Sequence, residues 1–251
     1  MKEQLYTIPL NDAVNANDEC PFCFIERKLE QDLMDFVLGS GSSYMESDVR
    51  EMTDNAGFCR AHFQKMFDYG NTLGNAWILK THYKQMIREM EKTFKGFTPG
   101  KGGMKLFGKS SESNSIAAWV HQKEKSCYIC NQYKDTYARY LDTFFYLYKQ
   151  DSEFPAKIAA SKGFCLHHFA DLCEAADSSL SGKDLESFYK MVLPLMSENM
   201  ARLGEDVSWL VEKFDYQNKD ADWKNSKDAI QRGMQKLKGG YPADAPYKMS
   251  K

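Results

Sequence analysis

The sequence predicts an all-α protein with two pseudo-repeats of three to four helices, each closed by a metal site of three cysteines and one histidine. Three observations support this: a cysteine and histidine signature occurs twice, apolar residues recur at three- and four-residue steps, and alternating β-branched segments are nearly absent. The chain has 251 residues, 43% hydrophobic and 27% charged. This composition is typical of a globular protein and excludes collagen-like, disordered and disulfide-miniprotein classes.

Each half contains a CxxC pair followed by a CxxH pair. The pairs are Cys20 with Cys23 and Cys59 with His62 in the first half, and Cys127 with Cys130 and Cys165 with His168 in the second. The first cysteines of the two halves are 107 positions apart and the third cysteines 106. Because so constant an offset is hard to reach by chance, we interpret the chain as an internal duplication.

Each CxxC pair is followed by the apolar period of a helix. A second helical segment follows in each half, at residues 44–55 and 153–162, and the next helix should begin at the CxxH pair. Gly57 and Gly163 lie where a helix C-cap needs positive φ. A long amphipathic helix then completes each half, and Pro194 should kink the second of these long helices.

The predicted domain plan follows the order of the sequence. Residues 1–95 form the first repeat and residues 119–240 the second. Residues 96–118 are rich in Gly, Ser and Lys and predict a linker, whereas residues 241–251 lack a burying pattern and predict a frayed tail.

Helix length favours ligand pairing within each half. At about 1.5 Å per residue, the helix after Cys23 carries the chain roughly 22 Å away by Leu38. The following helix must return if Cys59 is to meet Cys23, and an antiparallel hairpin does this. Pairing across the two halves stays open.

The donor set predicts a structural zinc site. Three thiolates and one imidazole fill all four positions of a tetrahedral ion and leave none for a substrate water. The CxxH pairs would lie on a first helical turn, where the helix dipole favours the thiolate. The cofactors predicted are therefore two Zn²⁺ ions. The metal ligands predicted are Cys20, Cys23, Cys59, His62, Cys127, Cys130, Cys165 and His168.

Two other chemistries use the same cysteines. An iron-sulfur cluster takes the same soft ligands. A thiol redox role is suggested by Cys20-Pro-Phe-Cys23, which is similar to the CPxC sequence of glutaredoxin-like proteins, although the preceding segment does not predict a buried strand. Cys173 has no counterpart in the first half and is predicted to be a buried core thiol, and the register with His62 selects His168 over His167 as the ligand.

Two further patterns concern phosphate groups. Gly103 to Ser110 matches GxxxxGKS, but no strand precedes it and the following residues start a helix poorly, so a linker explains it better. Residues 80–109 carry eight Lys or Arg against two Glu. This stretch predicts a solvated helix face, with a binding stripe for nucleic acid or an acidic protein as the alternative.

Charge and hydropathy bound the location and the class of partner. The formal net charge of −2 argues against a general polyanion binder. No apolar stretch is long enough to span a membrane, and the first 20 residues do not read as a secretory signal, so we expect a cytoplasmic protein. There, close cysteine pairs favour metal or redox sites over structural disulfides.

The series CPFCFIE, GFCRAHF, CYIC and GFCLHHF resembles an uncharacterised family of bacterial proteins, common in anaerobic Firmicutes, defined as a domain of unknown function. The resemblance spans roughly residues 5–215. It implies a bacterial cytoplasmic protein with paired metal sites and supplies no activity. We therefore predict a zinc-stabilised interaction or adaptor module with an unidentified protein partner. An enzyme with a tyrosine-lined cleft between the repeats is a weaker alternative.

Overall fold

The computed structural model of the protein describes residues 5–41, 43–98, 115–240 and 242. In this part of the chain there are eleven α-helices, two short 3-10 turns and no strand, which confirms the predicted all-α class. The helices are α1 (Thr7–Asn15), α2 (Pro21–Leu38), α3 (Ser47–Ala56), α4 (Arg60–Tyr69), α5 (Thr72–Lys95), α6 (Ser115–Lys125), α7 (Tyr128–Gln150), α8 (Phe154–Ala159), α9 (Leu166–Ser179), α10 (Gly182–Glu212) and α11 (Ala229–Lys238).

The chain divides into two compact units that are each assembled from both halves of the sequence. Among the described residues, unit 1 comprises 5–29, 135–240 and 242, and unit 2 comprises 30–41, 43–98 and 115–134. The boundaries fall inside α2 and α7, so these two helices supply residues to both units. The predicted repeats, residues 1–95 and 119–240, follow the order of the sequence and stay a prediction.

The core of unit 1 is built on aromatic rings from α7. Phe144 meets Phe154 of α8 edge to face at 5.3 Å between ring centroids, and Phe145 meets Phe188 of α10 at 5.5 Å. Tyr140 of α7 is also buried. These three aromatic side chains of α7 therefore lie in the core, where aromatic residues at helical spacing are usually found.

The core of unit 2 lies between the end of α2 and the start of α7. Met34 and Leu38 of α2 are fully buried and belong to the same cluster as Met66 of α4 and Ile129 of α7. The backbone N–H of Tyr128 donates to the carbonyl oxygen of Gly57 at 2.8 Å, which ties the start of α7 to the end of α3.

Helix starts agree with the sequence analysis better than helix ends do. The helices α2 and α7 begin directly after the first cysteine of each CxxC pair, and α4 and α9 begin at the CxxH pairs. Gly57 caps α3 with φ +62. Gly163 also has positive φ, but α8 already ends at Ala159, so its predicted C-cap role is wrong.

Several predictions fall on residues outside the described ranges. The predicted linker is covered only at residues 96–98 and 115–118, and the latter already belong to α6. Of the predicted tail, only residue 242 is described.

Pro194 lies inside α10, as expected. None of the described helices has the length and apolar content needed to cross a bilayer.

The last helix, α11, packs with its polar side inward on the segment before Cys20. Arg232 and Lys236 of α11 lie 3.3 and 3.4 Å from the carboxylate of Glu19, which is 2% exposed. The Lys236 ammonium also donates to the carbonyl oxygens of Glu19 and Lys162, both at 2.6 Å. Buried ion pairs, rather than apolar contacts, therefore position this helix.

Gly57→Ala should destabilise the protein by at least about 2 kcal/mol, because φ +62 with ψ −158 is a region that essentially only glycine occupies. An added Cβ would also lie 2.8 Å from His82 Cε1. Gly204→Ala is the control: it lies in α10 with open space around a Cβ, and should stabilise by about 0.5–1 kcal/mol. Denaturant unfolding measures both, and equal effects would contradict the strain argument.

Glu19→Gln should destabilise the protein by on the order of 3 kcal/mol at neutral pH, since it leaves buried cations without their partner. Burial by itself raises the pKa of Glu19. The hydrogen bond from Arg202 and the charges of Lys236 and Lys162 outweigh burial, so the pKa lies below its ordinary value. Because the pKa is lower in the folded protein, the Glu19 carboxylate stabilises the fold fully above the unfolded pKa of about 4.3. This contribution is lost as the pH falls through the folded pKa.

The difference in unfolding free energy between the wild type and Glu19→Gln should therefore shrink below about pH 4. Comparing the two proteins at each pH cancels acid effects that they share. Glu186→Gln, in an exposed pair with Lys190, is the control and should change stability by less than about 0.5 kcal/mol at any pH. A Glu19→Gln effect that does not depend on pH would contradict the assignment.

Candidate metal centres

All eight side chains predicted as ligands meet in two clusters of four. Site 1 consists of Cys20, Cys23, Cys165 and His168, and site 2 of Cys59, His62, Cys127 and Cys130. In each cluster the donor atoms all lie within 4.8 Å of one another. Site 1 lies wholly in unit 1 and site 2 wholly in unit 2.

The grouping differs from the pairing within halves that the sequence analysis favoured. Each CxxC pair meets the CxxH pair of the other half. The return helices are short: α3 and α8 have 10 and 6 residues and span about 15 and 9 Å, against about 27 and 34 Å for the 18 and 23 residues of α2 and α7. Neither return helix by itself spans the length of the long helix before it, which is consistent with a CxxH pair that does not come back to its own CxxC pair.

The two CxxH pairs adopt the same backbone geometry. Cys59 and Cys165 are the N-caps of α4 and α9, with φ −73 in both and ψ 165 and 160. The histidine three residues on lies on the first turn of the helix. The backbone N–H of His168 donates to Cys165 Sγ at 3.4 Å, and the N–H of Cys23 donates likewise to Cys20 Sγ. Helix N-termini thus stabilise the sulfur atoms in their thiolate form.

Donor spacings in both clusters suit a single tetrahedral ion. With Zn–S of about 2.3 Å and Zn–N of about 2.0 Å, a tetrahedron has S···S edges of about 3.8 Å and S···N edges of about 3.5 Å. In site 1, Cys23 Sγ lies 3.7 Å from Cys165 Sγ, and the sulfur-to-Nδ1 distances of His168 are 3.2 to 3.5 Å. In site 2, Cys59 Sγ lies 3.9 Å from Cys130 Sγ, with 3.2 to 3.5 Å to His62 Nδ1.

Each histidine turns Nδ1 toward the sulfur atoms and Nε2 toward a carboxylate of α2. His62 Nε2 lies 2.9 Å from Glu30 Oε1, which also accepts from the Lys65 ammonium at 2.5 Å. His168 Nε2 lies 3.9 Å from Glu26 Oε2, too far for a direct hydrogen bond. A carboxylate behind a histidine is the usual way to fix the ring and raise its basicity as a metal ligand.

In site 2, burial and the neighbouring side chains shift the pKa values of the histidine and the cysteines. Burial lowers the pKa of His62, but the contacts with Cys127 and Glu30 outweigh it and raise the pKa to about 10. Burial raises the pKa of Cys127, yet the hydrogen bond with His62 brings it down to about 6. Burial and the neighbouring Cys127 and Cys59 raise the pKa of Cys130 to about 12.

Site 1 follows the same logic. Hydrogen bonds from Cys20 and Cys23 lower the pKa of Cys165, while the contacts with Cys165 and Cys20 raise the pKa of Cys23. The pKa of His168 is raised to about 10, since its contacts with Cys165 and Cys20 outweigh burial. In both sites the imidazolium helps one sulfur ionise and another remains a thiol. A bound dication would let every sulfur ionise and would replace the proton on Nδ1.

The two sites differ in their exposure to solvent. All four residues of site 1 are fully buried. In site 2, Cys130 is exposed and Cys59 half-buried. Gly239 accounts for part of the cover of site 1, because a Cβ at this position would lie 3.6 Å from Cys165 Sγ and 3.8 Å from Cys23 Sγ.

The remaining candidate residues lie outside these clusters. His167 is exposed, and His168 is the histidine in site 1, as the register predicted. Cys173 is only half-buried, so its prediction as a buried core thiol is wrong. The GxxxxGKS match lies outside the described residues. The basic residues up to Lys95 lie on α5, where Lys80 stacks over Trp77 at 4.4 Å from the ring centroid.

Sequence reasoning missed three contributors to the sites. Glu26 and Glu30 follow a CxxC pair on a charged helix face and look like ordinary surface residues in the sequence. Gly239 lies far along the chain from either signature. A weak signal existed for the glutamates, since they lie three and seven residues after Cys23 and so share its helix face.

Comparison with known proteins adds a family and no activity. No curated protein matches the chain, and no solved structure does. A family model described as a family of unknown function, DUF6062, matches residues 1–244, which is almost the entire chain. The protein therefore belongs to the DUF6062 family.

Proposed function

We propose that the protein binds two zinc ions in closed structural sites, and that the helices held in this way form a docking surface for a protein partner. The observation that carries the first part is the agreement of donor spacing in both clusters with a single tetrahedral ion. Four protein donors fill each coordination sphere, which supports a structural role over a catalytic one.

Zinc is favoured over an iron-sulfur cluster by the same spacing. The four ligands of a cluster bind four irons in [4Fe–4S] or two irons in [2Fe–2S], so donors on different irons stand further apart than donors that share one ion. All seven cysteines are free thiols, which supports metal ligation in a reducing, cytoplasmic environment. Structural zinc contributes about 10–16 kcal/mol in small modules, comparable to the whole stability of a domain. Loss of an ion should therefore unfold the unit that holds it.

Pairs of cysteine substitutions distinguish the two ligand groupings. The purified protein should contain two zinc ions per chain. Cys23→Ser with Cys165→Ser alters only site 1, so one ion should remain after equilibration with a competing chelator. Cys23→Ser with Cys59→Ser alters both sites and should leave none. Pairing within halves would give the opposite result, and metal content by mass spectrometry decides between them.

X-ray absorption on the unmodified protein tests the metal without relying on the folding of variants. The expected zinc edge shows three sulfur neighbours at about 2.3 Å and one nitrogen at about 2.0 Å. A brown protein with iron and labile sulfide would contradict the proposal and support the iron-sulfur alternative. A metal-free protein with unchanged melting would reject any structural metal.

The second part of the proposal, partner binding, is supported by an apolar groove in unit 2. This open groove of about 690 Å³ follows α5 for three turns, and α4 and α6 contribute one residue each. Its lining residues are Phe63, Leu79, His82, Tyr83, Met86, Ile87, Met90 and Trp119. A groove of this length fits an amphipathic helix that inserts side chains at three- and four-residue steps.

The charge beside the groove indicates the chemistry of the partner helix. Lys80, Lys84 and Arg88 each follow a groove position by one to two residues and therefore lie on the neighbouring face of α5. Because these basic residues lie beside an apolar groove, they favour an acidic protein segment over nucleic acid as the partner. We infer an amphipathic helix with an apolar face and an acidic flank.

A designed amphipathic peptide with a leucine face and a glutamate flank should bind, and Ile87→Glu should weaken binding at least tenfold by placing a charge in the groove. Fluorescence anisotropy of a labelled peptide measures this, with a peptide of scrambled leucine spacing as the negative control. Lys149→Glu, on α7 of unit 1, should leave affinity unchanged. Equal binding of both peptides, or binding of a mixed oligonucleotide at low salt instead, would contradict this part of the proposal.

A further inference from the structure

Sites 1 and 2 share a donor set but differ in what can reach the sulfur atoms. Cys23 and Cys165 of site 1 lie 3.7 Å apart, and Cys59 and Cys130 of site 2 lie 3.9 Å apart. The close pairs are thus nearly equivalent in distance. Only the pair in site 2 meets solvent, since Cys130 is exposed and Cys59 half-buried. A difference in reactivity should therefore follow access rather than spacing.

We propose that Cys59 and Cys130 form an oxidation site for peroxides, at which a disulfide between them releases the ion of site 2 while site 1 keeps its ion. This inference rests on the proposed zinc binding. It assigns the two sites different roles: site 1 is a permanent structural site, and site 2 is a site whose metal occupancy responds to oxidant.

The reaction consumes one hydrogen peroxide for each ion released. The Cys130 thiolate attacks one peroxide oxygen, the O–O bond breaks, hydroxide leaves, and the sulfur becomes a sulfenic acid. The Cys59 thiolate then attacks that sulfur, the S–O bond breaks, and a second hydroxide leaves as the S–S bond forms. Two protons from solvent convert the hydroxides to water. The two sulfurs have together lost two electrons to the peroxide.

The geometry supports both steps. The sulfur atoms must approach from 3.9 Å to the S–S bond length of about 2.05 Å, which is a small movement for side chains of which one is exposed. After disulfide formation, only Cys127 and His62 remain as donors in site 2. Two of four ligands hold zinc far more weakly than the full set, so the ion should leave to solvent.

Site 1 lacks the access that the first step needs. Its three sulfur atoms belong to fully buried residues. The backbone at Gly239 lies against Cys165 and Cys23, and α11 is anchored next to it through Lys236 and Glu19. A peroxide molecule could reach these sulfurs only after local opening of the segments that cover them, which makes site 1 a built-in control.

The experiment adds limiting hydrogen peroxide to the two-zinc protein with 4-(2-pyridylazo)resorcinol present to report free zinc. One equivalent should appear at least tenfold faster than the second, peptide mapping should locate the new disulfide at Cys59 and Cys130, and dithiothreitol with added zinc should restore the original content. Release of both ions at one rate, or a first disulfide in site 1, would overturn the inference.

Three variants separate the outcomes. Cys20→Ser with Cys165→Ser removes site 1 and should keep the fast release, whereas Cys59→Ser with Cys130→Ser should abolish it. Cys173→Ser removes the thiol outside both sites and should behave as the wild type. Should the serine pairs fail to fold, peptide mapping of the wild type still decides. A protein that contains no zinc fails the proposed function, whereas two ions without preferential release fail only this inference.

Discussion

The structure depends on closing two clusters of four donors with segments that are distant in sequence. Cys23 and Cys165 are 142 residues apart, and Cys59 and Cys130 are 71 apart. Closing a loop of 142 residues rather than the 36 between Cys23 and Cys59 costs only about 1.2 kcal/mol more, because loop entropy grows with the logarithm of length. A structural zinc ion, as proposed for each cluster, would contribute about ten times as much. Chain entropy therefore does not enforce local pairing.

The long helices α2 and α7 connect the two clusters to the rest of the fold. Each begins at a CxxC pair of one unit and continues into the core of the other unit. The helix α2 also places a carboxylate near the histidine of each site: Glu30 is hydrogen-bonded to His62 at 2.9 Å, and Glu26 lies 3.9 Å from His168. Substitutions along these helices should thus affect ligand orientation as well as packing, since outer carboxylates set the basicity of the ring.

The helical class and the eight donor residues could be predicted from the sequence because both are local. A CxxC or CxxH pair shows its ligand spacing within four residues, and the helical period shows within about eleven. The grouping of pairs could not be predicted in the same way. It depends on contacts between segments that are far apart in the chain, and local patterns do not carry these contacts. Even the local boundaries differ from expectation, since α8 has 6 residues where ten were expected.

The outer parts of the sites escaped prediction for a different physical reason. Glu30 and Glu26 carry charge on an amphipathic helix, and their shared helix face with Cys23 is too weak a signal to distinguish a glutamate behind a histidine from a solvated one. The helix α11 is harder still, because its inward residues are Arg232, Gln235 and Lys236. A pattern that assigns polar residues to solvent would place this helix with the wrong face inward.

The two sites have the same donor set, but they differ in their cover. Three thiolates and one neutral imidazole around a divalent ion carry a net charge of −1, which is costly to bury without a cation nearby. In site 1 that cation is Lys236, which is 1% exposed: burial lowers its pKa, whereas the charges of Glu19 and Cys20 oppose this effect. Site 2 is open to water at Cys130, so solvent can stabilise its charge. The ion pairs that anchor α11 thus also place a cation beside the buried site, whereas solvent reaches the other site directly.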